Sequence, residues 1–224
     1  MMTKYIVHYG VMRTLGVFSY ADTPLRHGSR VIVQTPRGQE VGTTRCEAGT
    51  DTIAKLSKGF VENVIIRPMS ENDENVYQKL QRKEQEHLEQ CKRIIQEMKL
   101  NMELLRVEHV FGGERIVCYF TAPARVDFRE LVKVLTAEFQ KRIEMRQVNT
   151  REKIRLISCF GDCGRELCCC SFLRDLPIVT IKMAKVQRVA LDPAKISGHC
   201  GRLKCCLRYE YDCYLKKKPE TSAK

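Results

Sequence analysis

The sequence predicts an α+β protein: a small N-terminal β-sheet or barrel, a long amphipathic helix, an α+β layer and a cysteine-rich C-terminal segment. Three observations carry this expectation. Strand-like runs separated by turn residues fill the first 70 positions, a Gly- and Pro-free stretch with helical apolar spacing follows, and nine of the twelve cysteines fall at or after Cys159. The corresponding divisions are 1–70, 71–105, 106–158, 159–215 and a basic tail at 216–224. A chain of 224 residues is long enough to bury cores of ordinary size.

The first strands are read at Lys4 to Tyr9, Leu15 to Tyr20, Arg30 to Thr35 and Gln39 to Arg45, with Pro36-Arg37-Gly38 turning between the last two. Another β-rich run, Val61 to Arg67, ends at Pro68, and the polar stretch from Ser70 suits a helix entrance. From Glu71 to Leu105 the apolar positions Tyr77, Leu80, Leu88, Cys91, Ile95, Met98, Met102 and Leu105 recur at steps of three and four, with a break at Glu84. A helix of that span is on the order of 50 Å long. It either docks a partner or folds back on its own domain.

Gly112-Gly113 between Arg106 to Phe111 and Arg115 to Thr121 signals a hairpin. Asp127 and Glu130 resemble a capping box for a helix carrying Phe128, Leu131, Leu135 and Phe139, and the strand Ile143 to Val148 completes a ββαβ layer.

Charge and cysteine usage narrow the function. Lys plus Arg exceed Asp plus Glu by 39 to 27, a formal charge of +12. Such a surplus favours polyanionic partners. The longest stretch without a charged residue, Ile116 to Ala124, is too short to span a bilayer. The N-terminus lacks a secretory apolar run, so the sequence predicts a cytoplasmic protein whose thiols stay reduced and serve as ligands.

Residues 163–169 read CGRELCC and residues 200–206 read CGRLKCC, an internal repeat offset by 37 positions and identical at five of seven. The candidate ligands are therefore Cys163, Cys168, Cys169, Cys200, Cys205 and Cys206. Thiolates hold iron-sulfur clusters, four to a cluster, whereas structural zinc favours a tighter CxxC chelate. The wide Cys-x4-Cys-Cys grip favours a cluster and leaves zinc as the alternative. Gly164 and Gly201 permit tight turns, and Arg165 and Arg202 stand ready to balance charge. Adjacent cysteines should diverge on a helix or strand, so each pair is expected to split its roles. Cys46, Cys91 and Cys118 read as buried apolar thiols, and Cys159, Cys170 and Cys213 as substitutes. His199, beside Cys200, is an outer hydrogen-bond donor, an alternative ligand or a solvent-facing turn residue.

These residues resemble a known group. CGRELCC with Phe172-Leu173, then Ile181 to Lys185, then Asp192 to Glu210, is similar to the signature of the bacterial YaaT/RicT family, which shares a domain with a yeast polymerase-suppressor protein. The resemblance implies a non-enzymatic regulatory protein joining two small helical partners in a complex that carries [4Fe-4S] clusters and directs RNA processing by an endoribonuclease. It assigns the ligand roles to the six repeat cysteines. The chain departs from the pattern at Cys159, Asp162 and Cys170, and in the insertion-like segment from Glu71 to Leu105.

From Cys163 onward there are 13 basic and 6 acidic residues. That field, with Tyr209, Tyr211 and Tyr214, makes a candidate for direct RNA contact. No nucleotide-binding or hydrolase signature is present. The enzymatic rival is a thiol-disulfide redox enzyme, with clustered cysteines activated by neighbouring arginines.

Overall fold

The computed structural model describes residues 2–49, 63–157, 160–173 and 176–216. The chain forms two compact units, Met1–Gln147 and Val148–Lys224. Val61, Cys159 and most of the basic tail, including Lys217 and Lys218, lie outside the described residues.

The first unit opens with five strands: β1 (Thr3–Tyr9), β2 (Thr14–Tyr20), β3 (Arg30–Thr35), β4 (Gly38–Glu47) and β5 (Asn63–Pro68). They close into a barrel of order β1-β2-β5-β3-β4, which resolves the expected sheet or barrel in favour of the barrel. Hairpins account for β1 with β2 and β3 with β4, and two further antiparallel pairings join β1 to β4 and β3 to β5. Closure comes from β5 lying parallel to β2, pairing Phe18 with Asn63 and Ser19 with Val64. Tyr5, Val7, Phe18, Tyr20, Val31, Val33 and Ile65 fill the interior. Gly42 lets β4 press against β1, because a Cβ there would stand 2.5 Å from the Val7 side chain.

Cys46 is exposed, not buried as its strand pattern suggested. The register between β1 and β4 shifts at this point: Val7 faces Thr44, while Ile6 faces Cys46. Arg45 is the extra residue of a β-bulge, which turns Cys46 out of the phase that buries Glu40, Gly42 and Thr44.

Helix α1 (Glu71–Glu97) starts at Ser70, whose side chain accepts from the Asp73 backbone N–H while the Asp73 carboxylate accepts from Ser70 N. Its 27 residues give a length of about 40 Å. The helix stops short of the expected Leu105 because Lys99 turns left-handed at φ 50° and residues 103–105 enter the next strand. The apolar rhythm survives this change because both segments bury their apolar side against one core.

That core is the α+β layer. Strands β6 (Glu103–His109) and β7 (Arg115–Thr121) form the Gly112-Gly113 hairpin, α2 (Arg129–Phe139) crosses over, and β8 (Arg142–Gln147) pairs parallel to β7. Cys91 and Ile95 of α1 meet Val107, Ile116, Cys118, Leu131, Leu135 and Ile143 in one apolar cluster. The C-terminal half of the helix therefore folds back on its own unit. Only half of the expected box opens α2: Asp127 accepts from Arg129 N, but Glu130 turns to Lys133.

The second unit holds short elements: α3 (Thr150–Ile157), α4 (Cys168–Ser171), α5 (Ile181–Val186), α6 (Pro193–Ile196) and α7 (Cys206–Lys216). Its apolar cluster has Ala184, Ile196 and Leu207 buried, with Val179, Met183, Val189 and Leu203 against them. No helix among the described residues is long and apolar enough to cross a membrane.

Candidate metal centre

Each repeat folds the same way. In the first copy Gly161 N donates to Arg165 O at 2.8 Å and Gly164 N to Gly161 O at 2.9 Å; in the second, Gly198 N donates to Arg202 O at 2.8 Å and Gly201 N to Gly198 O at 2.9 Å. One antiparallel bridge closes each miniature hairpin, Phe160 with Glu166 and Ser197 with Leu203. Gly164 and Gly201 both sit at φ 72°, the left-handed conformation that the turn requires and that side chains disfavour. The repeat is therefore structural as well as sequential.

Equivalent residues also meet each other. Asp162 accepts from His199 Nε2 at 3.2 Å, Phe172 packs edge-on against Tyr209, and Cys168 interacts with Cys205. Each of these pairs is separated by the repeat offset of 37. Contact between a residue and its own counterpart is the mark of an isologous, two-fold arrangement, here within one chain. Lys204 adds a bond of 2.7 Å to the other oxygen of Asp162.

On this local axis lies a cavity of about 150 Å³. Fourteen of its sixteen lining residues fall into seven pairs related by the same offset, and all six candidate cysteines are among them. Both members of both adjacent pairs line the cavity, so lining alone does not divide their roles. Cys205 precedes α7 and Cys206 opens it, so the second pair straddles a loop-to-helix junction where helical divergence does not apply.

The two remaining lining residues, Arg151 and Ile154, come from α3 and break the symmetry. This helix carries a capping box that sequence reasoning missed: Asn149 Oδ1 accepts from Arg151 N and Glu152 N, and Glu152 accepts from Asn149 N. The signal was Asn149 with Glu152 three residues on. Arg151 is the cavity's guanidinium, and its buried Nε has no hydrogen-bond partner among the described residues. Arg165 and Arg202, the cations expected from sequence, are exposed and do not line the cavity.

The thiols differ electrostatically. Burial, with the nearby Cys205 charge, pushes the Cys168 thiol up to about 11. A hydrogen bond from the Cys169 thiol holds Cys205 below the usual thiol range, with the Arg151 charge adding to the shift, while Cys169 is raised in turn. Cys170 is buried and Cys213 exposed, and neither lines the cavity. Among the described residues no three His, Cys, Asp or Glu side chains are arranged to hold a single metal ion. His199 is exposed at the rim, bonded to Asp162. Tyr209 and Tyr214 are exposed on α7, and Tyr211 is half-buried.

Comparison with known proteins places these features. Residues 63–148 match the PSP1 C-terminal conserved region, and residues 178–221 match the third domain of PSP1-like proteins. The first match spans α1 within its bounds. Stage 0 sporulation protein YaaT of Bacillus subtilis (strain 168) is 40% identical over 194 residues, covering 85% of this chain and 68% of that protein. No solved structure matches the chain. A relative this similar over most of both sequences, with the two PSP1 matches, shows that the chain belongs to the YaaT family of PSP1-domain proteins.

Proposed function

We propose that this chain is a non-enzymatic regulatory subunit that holds a [4Fe-4S] cluster between its two CGRxxCC repeats. The observation that carries this reading is the convergence of six thiols from both repeats on one cavity. The site suits a sulfur-rich anionic group in two ways. Its six cysteines supply the thiols that iron-sulfur clusters require. The buried, unpartnered Arg151 Nε supplies a donor toward negative charge. When bound, the cluster would supply cross-linking and redox chemistry. The chain's own thiols hold it, two or more from each repeat, and the glycine turns bring their backbones close.

A structural role fits the unit's build. Among the described residues of Val148–Lys224 the cluster around Ala184, Ile196 and Leu207 is small, and small cores of this kind commonly depend on a staple. Exposed Phe160, Phe172, Ile178 and Tyr209 offer apolar surface to partner proteins. By the family resemblance the partners are two small helical proteins, and the assembly directs an endoribonuclease, with direct RNA contact through the basic segment bearing Tyr209 and Tyr214. The relative's name ties that protein to sporulation, which accords with a regulatory task.

One observation favours a second reading. Cys205, lowered through its bond with Cys169, has the character of an attacking thiol in a thiol-disulfide enzyme. Anaerobic purification of the full chain separates the readings. Iron with acid-labile sulfide and a brown chromophore is the expected result. Stoichiometric zinc without iron would overturn it in favour of a zinc module, and a colourless, metal-free protein that reduces disulfides would favour the enzyme.

A further inference from the structure

The outside of the barrel carries a second cavity, of about 270 Å³, that is independent of the thiol site. Arg30 on β3, Thr43 on β4 and His8 on β1 stand abreast on three adjacent strands, because Thr43 pairs with Arg30 on one side and His8 on the other. Their neighbours Val7, Val31 and Thr44 point inward, so this row faces out. Arg45, two residues beyond Thr43 on β4, and Arg13 in the turn between β1 and β2 bring two more guanidinium groups to the same wall.

The donors are held in place by specific contacts. Arg45 Nε donates to His8 Nδ1 at 3.0 Å, which puts the proton of the neutral imidazole on Nε2. Glu74 of α1 accepts twice from Arg30 Nη1 at 2.5 Å, and the Arg30 guanidinium lies 4.9 Å over the Tyr77 ring. Both contacts fix the plane of Arg30 without engaging its Nη2. The wall is completed by Tyr9 and Tyr77, and no lining residue is acidic.

Three guanidinium groups, an imidazole donor and a hydroxyl around a concavity match an oxyanion with several acceptor atoms. The volume is slightly below that of most ligand sites, yet more than the anion alone fills, and two tyrosines are among the lining residues. We propose that this cavity binds a phosphate group carried on a nucleotide unit, with Arg13, Arg30 and Arg45 clamping the phosphate and His8 and Thr43 donating to it. The unit is either a free nucleotide or one residue of an RNA strand, and both present the same phosphate chemistry.

Titration calorimetry of the full chain with AMP and with an eight-residue oligouridine distinguishes the two sources. Saturable binding of at least one probe is expected. It should weaken at least about tenfold in the Arg13→Ala, Arg45→Ala double variant and stay unchanged in Arg125→Ala, an exposed arginine outside the cavity. Arg30 is left in place because it ties β3 to α1. Thermal unfolding checks that the double variant folds; Arg45→Ala alone, at an exposed strand position, serves if it does not. Failure of both probes to saturate, or binding that survives loss of Arg45, overturns the proposal. Neither result bears on iron content, which reports on the thiol site alone.

Discussion

The Phe172 ring meets the Tyr209 ring edge-on with centroids 5.0 Å apart, and the two residues occupy the same place in two copies of one sequence unit. With Asp162 on His199 and Cys168 on Cys205, this contact defines a two-fold axis inside a single chain. A ligand on such an axis receives matching donors from both sides. The symmetry therefore ties the fate of each cysteine to that of its counterpart.

It follows that Cys163→Ser and Cys200→Ser should reduce iron occupancy to similar extents, since a neutral hydroxyl is a far poorer iron ligand than a thiolate. Cys213→Ser, whose residue lies outside the cavity, should retain iron. Iron content and visible absorbance across the series measure this. Undiminished iron in both repeat variants would rule out the two repeats as the site.

Arg151 has no counterpart in the cavity, and its role is the test of charge balance there. Arg151→Met keeps much of the side chain's bulk and removes the buried donor. The variant should hold the cluster less firmly, with faster loss of visible absorbance on exposure to a chelator, and the Cys205 thiol should titrate higher than in the parent protein. Unchanged chelator kinetics would show that the guanidinium is not directed at the bound group.

How much of this was legible in the sequence depends on the range of the interaction. The hairpins at Pro36-Arg37-Gly38 and Gly112-Gly113 are local, and turn chemistry alone locates them. Barrel closure rests on two residue pairs between β2 and β5, more than forty positions apart, and no local pattern announces it. The end of α1 was hidden for another reason. Lys99 adopts a left-handed φ without being glycine, and Met98 and Met102 continue the apolar rhythm because they pack on the same core. Cys46 was misread because a one-residue bulge inverts strand phase without leaving a compositional trace. At the candidate site, repetition singled out the six cysteines that line the cavity, but ideal helix geometry could not foresee that both members of each pair, at a helix entrance, would line it.

Core position separates the thiols that sequence grouped. Cys118→Ser should cost about 1 to 3 kcal/mol, because it places a hydroxyl at a fully buried site beside Cys91. Cys46→Ser, on the exposed end of β4, should change stability by less than about 0.5 kcal/mol. Urea denaturation at fixed pH compares them, and equal losses would contradict the bulge.

Ile95 is 5% exposed within the α1 cluster, so Ile95→Asp buries a charge with no partner. A loss of about 3 to 5 kcal/mol is expected, the scale of an uncompensated buried charge. The variant should unfold the first unit at lower urea. A stable variant that instead lost only a binding partner would place this part of the helix on the surface.

The last prediction uses a half-buried carboxyl and a buried imidazole whose shifts oppose each other. Glu84 accepts from His109 N at 2.9 Å, yet burial raises its carboxyl to about 7 from 4.5. Between those values the folded state holds a proton that the unfolded state releases, so stability falls as pH rises. His109 is held down to about 4 from 6.5, chiefly by burial and then by the His87 charge, with the rings linked by an N···N contact of 3.0 Å. The unfolded state binds the extra proton here, so stability rises with pH across that window. In the parent protein the two slopes offset each other between about pH 4.5 and 6.5, and only the Glu84 decline remains from there to 7. Glu84→Gln keeps an oxygen to accept from His109 N and removes the titration. Its stability, followed by urea denaturation from pH 4 to 8, should climb more steeply to pH 6.5 than the parent's and then level off. If the two profiles superimpose, Glu84 does not carry a folded-state proton near neutral pH.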